Sequence, residues 1–310
     1  MPKFIKTISE YHRYRGLTQP YHPMISVVDY NDIRSLPEED VDRLILDFYA
    51  VSLKRTKNAK IIYGQQRCDF DSGVLFFMAP RQVFTIQSIG NSQPQHTGWL
   101  LLIHPDLLWN THLASAIGKY DFFEYEVNEA LFLSDSEESV LTGIIKYIDL
   151  ECRTNLDRFS QNIIIAQIET LLRYSERFYQ RQFITRKIGN HEILGRMETI
   201  LNEYILNNAV REGLPTVHFI AEALSMSPGY LSGVLKSVTG ESTQQHIHNK
   251  LIAVAKEKLT TTTLTVSEIA YELGFEHPQG FSKLFKHKTN VTPMAFRRSF
   301  IIGVDQEYQK

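Results

Sequence analysis

Residues 266–297 read VSEIAYELGFEHPQGFSKLFKHKTNVTPMAFR, and about fifty residues earlier the chain carries a second copy of the same pattern. IAEALSMS (220–227) matches IAYELGFE (269–276), and YLSGVLKSVTG (230–240) matches GFSKLFKHKTN (280–290), with one residue of slippage at the turn. Each copy opens a short helix on Ile-Ala and ends it in leucine. A tight turn follows, Ser225-Met226 in the first copy and Gly274-Phe275 in the second. The next helix carries its apolar stripe at Leu231, Val234, Leu235 and Val238, or at Phe281, Leu284 and Phe285. Two helices across a short turn, with Ala221 or Ala270 small enough for close approach, predict a helix-turn-helix.

The flanking residues extend this helical half. Ser227-Pro228 is an N-cap with proline at the first helical position, so a helix starts sharply there. Thr265-Val266-Ser267-Glu268 is a capping box. The pattern predicts seven helices, at about 192–208, 216–224, 228–238, 242–260, 265–273, 278–288 and 293–300. The fourth, of about 19 residues, would be roughly 28 Å long. That is close to the ~34 Å between successive major grooves on one face of DNA, so it suits a strut between two recognition helices.

The first half reads differently. Short apolar runs at 25–30, 43–55, 59–64, 73–80, 83–88 and 98–103 alternate with turn signals, as in a sandwich or jelly-roll barrel. Residues 105–118 read as a short helix and FFEYEV (122–127) as a further strand. From Ser134 to Cys152, and again from Leu156 to about Phe183, the apolar spacing becomes helical. The second of these helices is wide in apolar surface (Ile163, Ile164, Ile165, Ile168, Leu171, Leu172), which makes it a candidate homodimer face. The polar stretch TRKIGN (185–190) marks a linker, assigned to 185–191. It divides an N-terminal domain (1–184) from a C-terminal domain (192–302).

The 310 residues suffice for two domains, and a hydrophobic fraction of 43% fits a globular protein. The net charge of -2 excludes a chain that is basic throughout, but not a local basic face. Cys68 and Cys152 are far apart and form no CxxC pair, which argues against a disulfide framework or structural zinc. No signal peptide or membrane-length apolar run is read, so the expectation is a cytoplasmic protein without a membrane partner.

Charge concentrates on the second copy. Between His277 and Val304 there is no Asp or Glu, while Lys283, Lys286, Lys288, Arg297 and Arg298 fall there. Clustered cations of this kind supply phosphate contacts. With the IA…GF turn, the F-x-x-x-F-K core and the terminal T-P-x-x-F-R, the C-terminal ~110 residues resemble the DNA-binding domain of AraC/XylS-type bacterial transcription regulators. The resemblance implies an activator that binds promoter DNA through two helix-turn-helix motifs and works with RNA polymerase. It also implies a cupin-like N-terminal barrel, so the expected fold class is α+β: a cupin-like β-barrel with trailing helices, then an all-α domain. Carried over onto this sequence, the base-contacting positions are Gly229, Ser232, Gly233 and Lys236 in the first motif and Gln279, Gly280, Lys283 and Lys286 in the second. Gly233 departs from the family, where arginine is common, and its repeat partner is Lys283. Lysine to guanine and glutamine to adenine are usual major-groove pairings, and the second motif alone has both side chains.

Other chemistry reads weakly. His96, His104 and His112 lack the H-x-H plus glutamate spacing of metal-binding cupins, and His246 and His248 fall on different faces of one helix. No metal, cofactor or catalytic residue is assigned, and no enzyme activity is expected. The rival reading is a cupin-type metal-dependent enzyme with a helical appendage. A barrel of this size can enclose one small-molecule effector, with Tyr63, Phe77, Phe84, Trp99 and Trp109 as candidate lining or plain core.

Overall fold

Apolar runs bounded by turn residues become strands in one compact unit, Met1–Thr185, and helically spaced apolar residues build a second, Arg186–Lys310. The computed structural model describes residues 3–33, 42–56, 73–86, 96–125, 129–154, 157–185 and 187–299. The apolar run at 59–64 lies outside the described residues.

The N-terminal unit runs β1 (Lys3–Ile5), α1 (Ile8–Tyr14), β2 (Ile25–Asp29), β3 (Asp42–Leu46), β4 (Tyr49–Thr56), β5 (Val74–Met78), β6 (Val83–Ile86), β7 (His96–Ile103), α2 (Leu113–Ala116), β8 (Leu131–Phe132), α3 (Asp135–Arg153) and α4 (Ser160–Thr185). Among the described residues its strands form two sheets, ordered β1-β3-β6 and β2-β7-β4-β5-β8. They do not close on one another, which corrects the expected barrel to an α+β arrangement of two open sheets with helices. β7 is the hinge of the larger sheet, pairing β2 on one side and β4 on the other. Its Trp99–Ile103 run is buried on both faces. Leu100 and Leu102 join Ile5, Tyr11, Leu44 and Phe48 in one core. On the other face, Trp99 donates its indole N–H to Thr142 of α3 at 3.2 Å.

Three local readings are revised. The single run 43–55 is two strands, broken at Asp47-Phe48, where Phe48 turns fully inward and Asp47 N–H donates to the Ile5 carbonyl. Phe122 and Phe123, read as strand, form a short 3-10 turn over Asp121–Phe123. Their rings are drawn into an aromatic cluster, with Phe77 and Phe122 centroids 4.3 Å apart and Phe122 stacked on Tyr179 at 5.7 Å. Lys187–His191, read as linker, are the first turn of the next helix. α4 also supplies the partners that the short strand β8 lacks. The Gln182 side-chain oxygen accepts from Phe132 N–H at 2.9 Å, and its amide donates to the Ala130 carbonyl.

The C-terminal unit holds α5 (Lys187–Asn207), α6 (Ala209–Glu212), α7 (Val217–Ala223), α8 (Pro228–Thr239), α9 (Thr243–Thr261), α10 (Val266–Glu272) and α11 (Pro278–Thr289), then a helical stretch at 293–299. One core joins them. Ile247, Leu251, Ile252, Ala255 and Leu259 of α9 pack with Met197 and Leu201 of α5, Leu231 and Leu235 of α8, and Phe281 and Phe285 of α11.

At Gly274 the backbone is left-handed (φ +88) and crosses Gly213 closely. A Cβ there would lie 2.6 Å from the Gly213 carbonyl and 2.9 Å from the Ala209 oxygen. Gly240 is also left-handed, but open space surrounds it. Gly274→Ala should therefore cost about 2–4 kcal/mol of C-terminal-unit stability, against about 1 kcal/mol for Gly240→Ala. Denaturant unfolding of the two variants measures the difference.

Candidate nucleic-acid interface

The two motifs are built from the same local parts. Thr216 and Thr265 cap α7 and α10, accepting from Phe219 N–H and Glu268 N–H. Each of these helices ends in a paired closure. Ser225 N–H donates to the Glu222 carbonyl and Met226 N–H to the Ala221 carbonyl; Gly274 and Phe275 repeat this onto Tyr271 and Ala270. This is a Schellman closure, and it requires positive φ at its first residue, found at Ser225 (+56) and Gly274 (+88). The turn angle is thus fixed by hydrogen bonds. Met226 and Phe275 both fold back onto the core.

The second helices, α8 and α11, are of equal length and start on proline at matching positions. The Ser227 hydroxyl caps α8, accepting from Tyr230 N–H. His277 makes no such side-chain bond. Both helices end in a left-handed residue, Gly240 or Asn290, whose N–H donates to the carbonyl of Lys236 or Lys286. Their cores differ in chemistry. Leu231 and Leu235 seat α8, whereas Phe275, Phe281, Phe285 and Phe296 form an edge-to-face ladder under α11, with centroids 5.5, 5.8 and 5.6 Å apart. That ladder is the structural meaning of the F-x-x-x-F spacing.

Gly229, Ser232, Gly233 and Lys236 fall at i, i+3, i+4 and i+7, one face of α8, turned away from Leu231 and Leu235. Lys236 is exposed and the other three are half-buried. On α11, Gln279, Gly280, Lys283 and Lys286 are all exposed along the matching face. The helices bring these eight positions together as two stripes. Neither helix contains Asp or Glu.

The remaining predicted cations divide. Arg298 is exposed. Lys288 turns inward, donating to Asn249 Oδ1 of α9 at 2.9 Å, while Asn249 Nδ2 donates to Glu241 at 2.8 Å. This relay ties α11 to the loop that follows α8. Arg297 donates from Nε to the Leu259 carbonyl at 3.0 Å, in the last turn of α9, with Nη2 shielded from solvent. Beside it, Lys258 of α9 pairs with Glu272 of α10 at 2.7 Å. Asn249, Glu241, Lys258 and Glu272 escape the sequence reading because their role depends on which helices cross. The i, i+3 and i+4 spacing carries no trace of it.

The candidate metal residues stay apart. His104 accepts from Asp106 N–H, His112 pairs with Glu169 at 2.6 Å, His246 with Thr239 and His248 with Gln244. The His96 side chain lies outside the described residues. Among those described, no cluster of three or more His, Cys, Asp or Glu is poised for a metal. Nor is any described helix long and apolar enough to cross a membrane. Of the candidate lining residues, Phe77 is aromatic core, Trp99 packs on α3 and Trp109 is 70% exposed. Tyr63 and the Phe84 side chain lie outside the described residues. Cys152 is buried, and burial pushes its thiol up to about 12, so it is chemically quiet.

A helix-turn-helix domain family matches residues 220–299, which takes in both motifs and α9. Over 79 residues the chain is 39% identical to the uncharacterized transcriptional regulatory protein YesN of Bacillus subtilis, covering 25% of this chain and 22% of that one. Over 155 residues it is 30% identical to the arabinose operon regulatory protein of Escherichia coli, covering 46% and 50%. Residues 220–299 are an AraC-type helix-turn-helix domain. The solved C-terminal domain of the response regulator YesN from Fusobacterium nucleatum is 31% identical and covers 32% of this chain and 96% of that one, with a TM-score of 0.29. The chain spans half or less of the two curated relatives' own lengths.

Within the AraC-type domain, the division of the cations makes a stability prediction. Arg297→Ala leaves the Leu259 carbonyl without its partner and should cost about 1–3 kcal/mol. Arg298→Ala, at an exposed position, should stay within about 0.5 kcal/mol of the parent. Equal losses in thermal or denaturant unfolding would refute the division.

Proposed function

We propose that this chain is a sequence-specific DNA-binding transcription regulator. The observation that carries the reading is the pair of acid-free stripes, on two helices of equal length fixed to one rigid α9. Phosphate contacts come from Lys236, Lys286 and Arg298, and Lys283 serves both backbone and bases. Base choice rests on Gln279 and Lys283, the residue types that read adenine and guanine edges. Lys288 and Arg297 hold the helices in place from within. On α8, Gly229, Ser232 and Gly233 leave the helix surface low, so this helix approaches DNA closely and reads backbone and shape.

The N-terminal unit is proposed as the regulatory part, cupin-like in descent, though its described strands form open sheets. A cleft of about 750 Å³ between the larger sheet and α3, lined by Leu53, Arg55, Trp99, Thr142, Gly143 and Lys146, supports a small-molecule effector. A homodimer is proposed through α3 together with the start of α4. Val140, Tyr147 and Leu150 of α3, with Phe159 and Ile163, are exposed apolar residues. The rest of α4's apolar surface, Ile164 to Leu172, is buried within its own unit. Activation, contact with RNA polymerase and a cytoplasmic setting complete the proposal.

Selection of bound sequences from random duplex DNA with the full-length protein tests this directly. It should return a site with two half-sites about one helical turn apart. Gel shifts then test the residues. Lys283→Ala should cost about 1–3 kcal/mol and relax base preference in the second half-site. Arg298→Ala should weaken binding evenly across sequences and reduce the salt slope by about one. Gly233→Arg should tighten binding and alter preference over the first half-site. Unchanged affinity and specificity in all three would refute the assignment.

A further inference from the structure

Four consecutive helices of the C-terminal unit open on a hydroxyl. Thr216, Ser227, Ser242 and Thr265 stand before α7, α8, α9 and α10, and each side chain accepts from a backbone N–H of the first turn. α11 departs from them. His277 holds its N-cap position and makes no side-chain capping bond. A hydroxyl at this position stabilises a helix, and histidine forgoes that stabilisation. The repeat sharpens the contrast. Ser227, at the matching place, is 5% exposed and engaged by the Tyr230 N–H at 3.3 Å, whereas His277 is exposed.

The backbone of His277 is nevertheless fixed. Its carbonyl accepts from Gly280 N–H at 3.0 Å. Pro278 follows it and holds it in the extended region, at φ -135 and ψ 129. The imidazole therefore leaves from a defined point at the start of α11, with no hydrogen-bond or ion-pair partner among the described residues. One turn further on, the helix is bare. Gly280 is exposed, and beyond the helix's own backbone an added Cβ would meet nothing nearer than Phe275 Cδ1 at 3.7 Å. One of the four positions in the α11 stripe thus presents no side chain. His277 stands three residues before it, as Lys283 stands three residues after.

We propose that His277 reads DNA beside Gln279 and Lys283, as a further specificity-determining residue of the second motif. This rests on the DNA-binding reading of α11. The first residues of a recognition helix are the ones that reach base edges. A ring N–H of histidine donates to major-groove acceptors, and N7 is the acceptor that adenine and guanine share. His277 therefore selects a purine at the base pair next to the one that Gln279 contacts. Glu276, exposed and adjacent in the chain, disfavours a phosphate at this end of α11 and leaves a base edge as the partner. The first motif has no counterpart, because Ser227 is buried in its cap.

Thermal unfolding and gel shifts on the DNA site selected by the full-length protein test this with His277→Ser and His277→Ala. The serine supplies a capping hydroxyl and should raise the midpoint of the C-terminal unit by about 2–5 °C. The alanine supplies no acceptor and should leave it unchanged. Both should weaken binding about 3- to 10-fold and abolish the preference for purine at one base pair, with every other position of the site as in the parent. A histidine that serves only the fold predicts binding that follows the midpoint, so that serine binds at least as well as the parent; that result overturns the proposal. So does a loss of affinity spread evenly over all sequences, which marks a phosphate contact. A parent that selects no DNA site overturns the DNA-binding reading itself. A parent site whose affinity and base preference are unchanged in both variants overturns the role of His277 alone.

Discussion

Burial of one stripe on α9 sets the geometry of the C-terminal unit. Ile247, Leu251, Ile252, Ala255 and Leu259 are all nearly inaccessible, and both motifs pack against them. α9 is packed from Ile247 to Leu259, so the separation of α8 and α11 follows from where each seats along this one helix. Polar ties secure its two ends. The Lys288–Asn249–Glu241 relay sits near its N-terminus, and Arg297 with the Lys258–Glu272 pair sits near its C-terminus. These bonds engage two of the cations gathered in this part of the sequence within the unit itself.

The two motifs share a backbone and differ in what they present. The same capping threonines, Schellman closures and left-handed helix ends recur in both. The side chains diverge where the backbone no longer constrains them. Beneath the helix, Leu231 and Leu235 stand where Phe281 and Phe285 stand in the repeat, and each set fills its own space. On the outer face, Gly229 and Gly233 stand opposite Gln279 and Lys283. Such a division suits a protein in which one half of the interface positions and the other half discriminates.

Much of this was legible in the chain. Ser227-Pro228 and the Thr265–Glu268 capping box mark helix starts because the chemistry of an N-cap lies within four residues. The repeat marks the motifs because its apolar spacing is itself local. The N-terminal unit was harder. Phe122 and Phe123 have the composition of a strand, yet contact with Phe77 and Tyr179 outweighs that preference. β8 has two residues and leans on Gln182, fifty positions away. α1 is seven residues long, too short for periodicity to declare it.

The helix-turn-helix repeat, its caps, and the concentration of charge on its second copy can be read from the chain alone, since each is written in neighbours a few residues apart. Which cations are hydrogen-bonded within the unit depends on how its helices cross. Lys288 and Arg298 look alike as sequence, but one meets Asn249 across a helix crossing and the other meets solvent. The same holds for the sheets, which stay open in the described residues. Contacts between distant segments follow from how elements pack, and packing is set by the shape of the whole core.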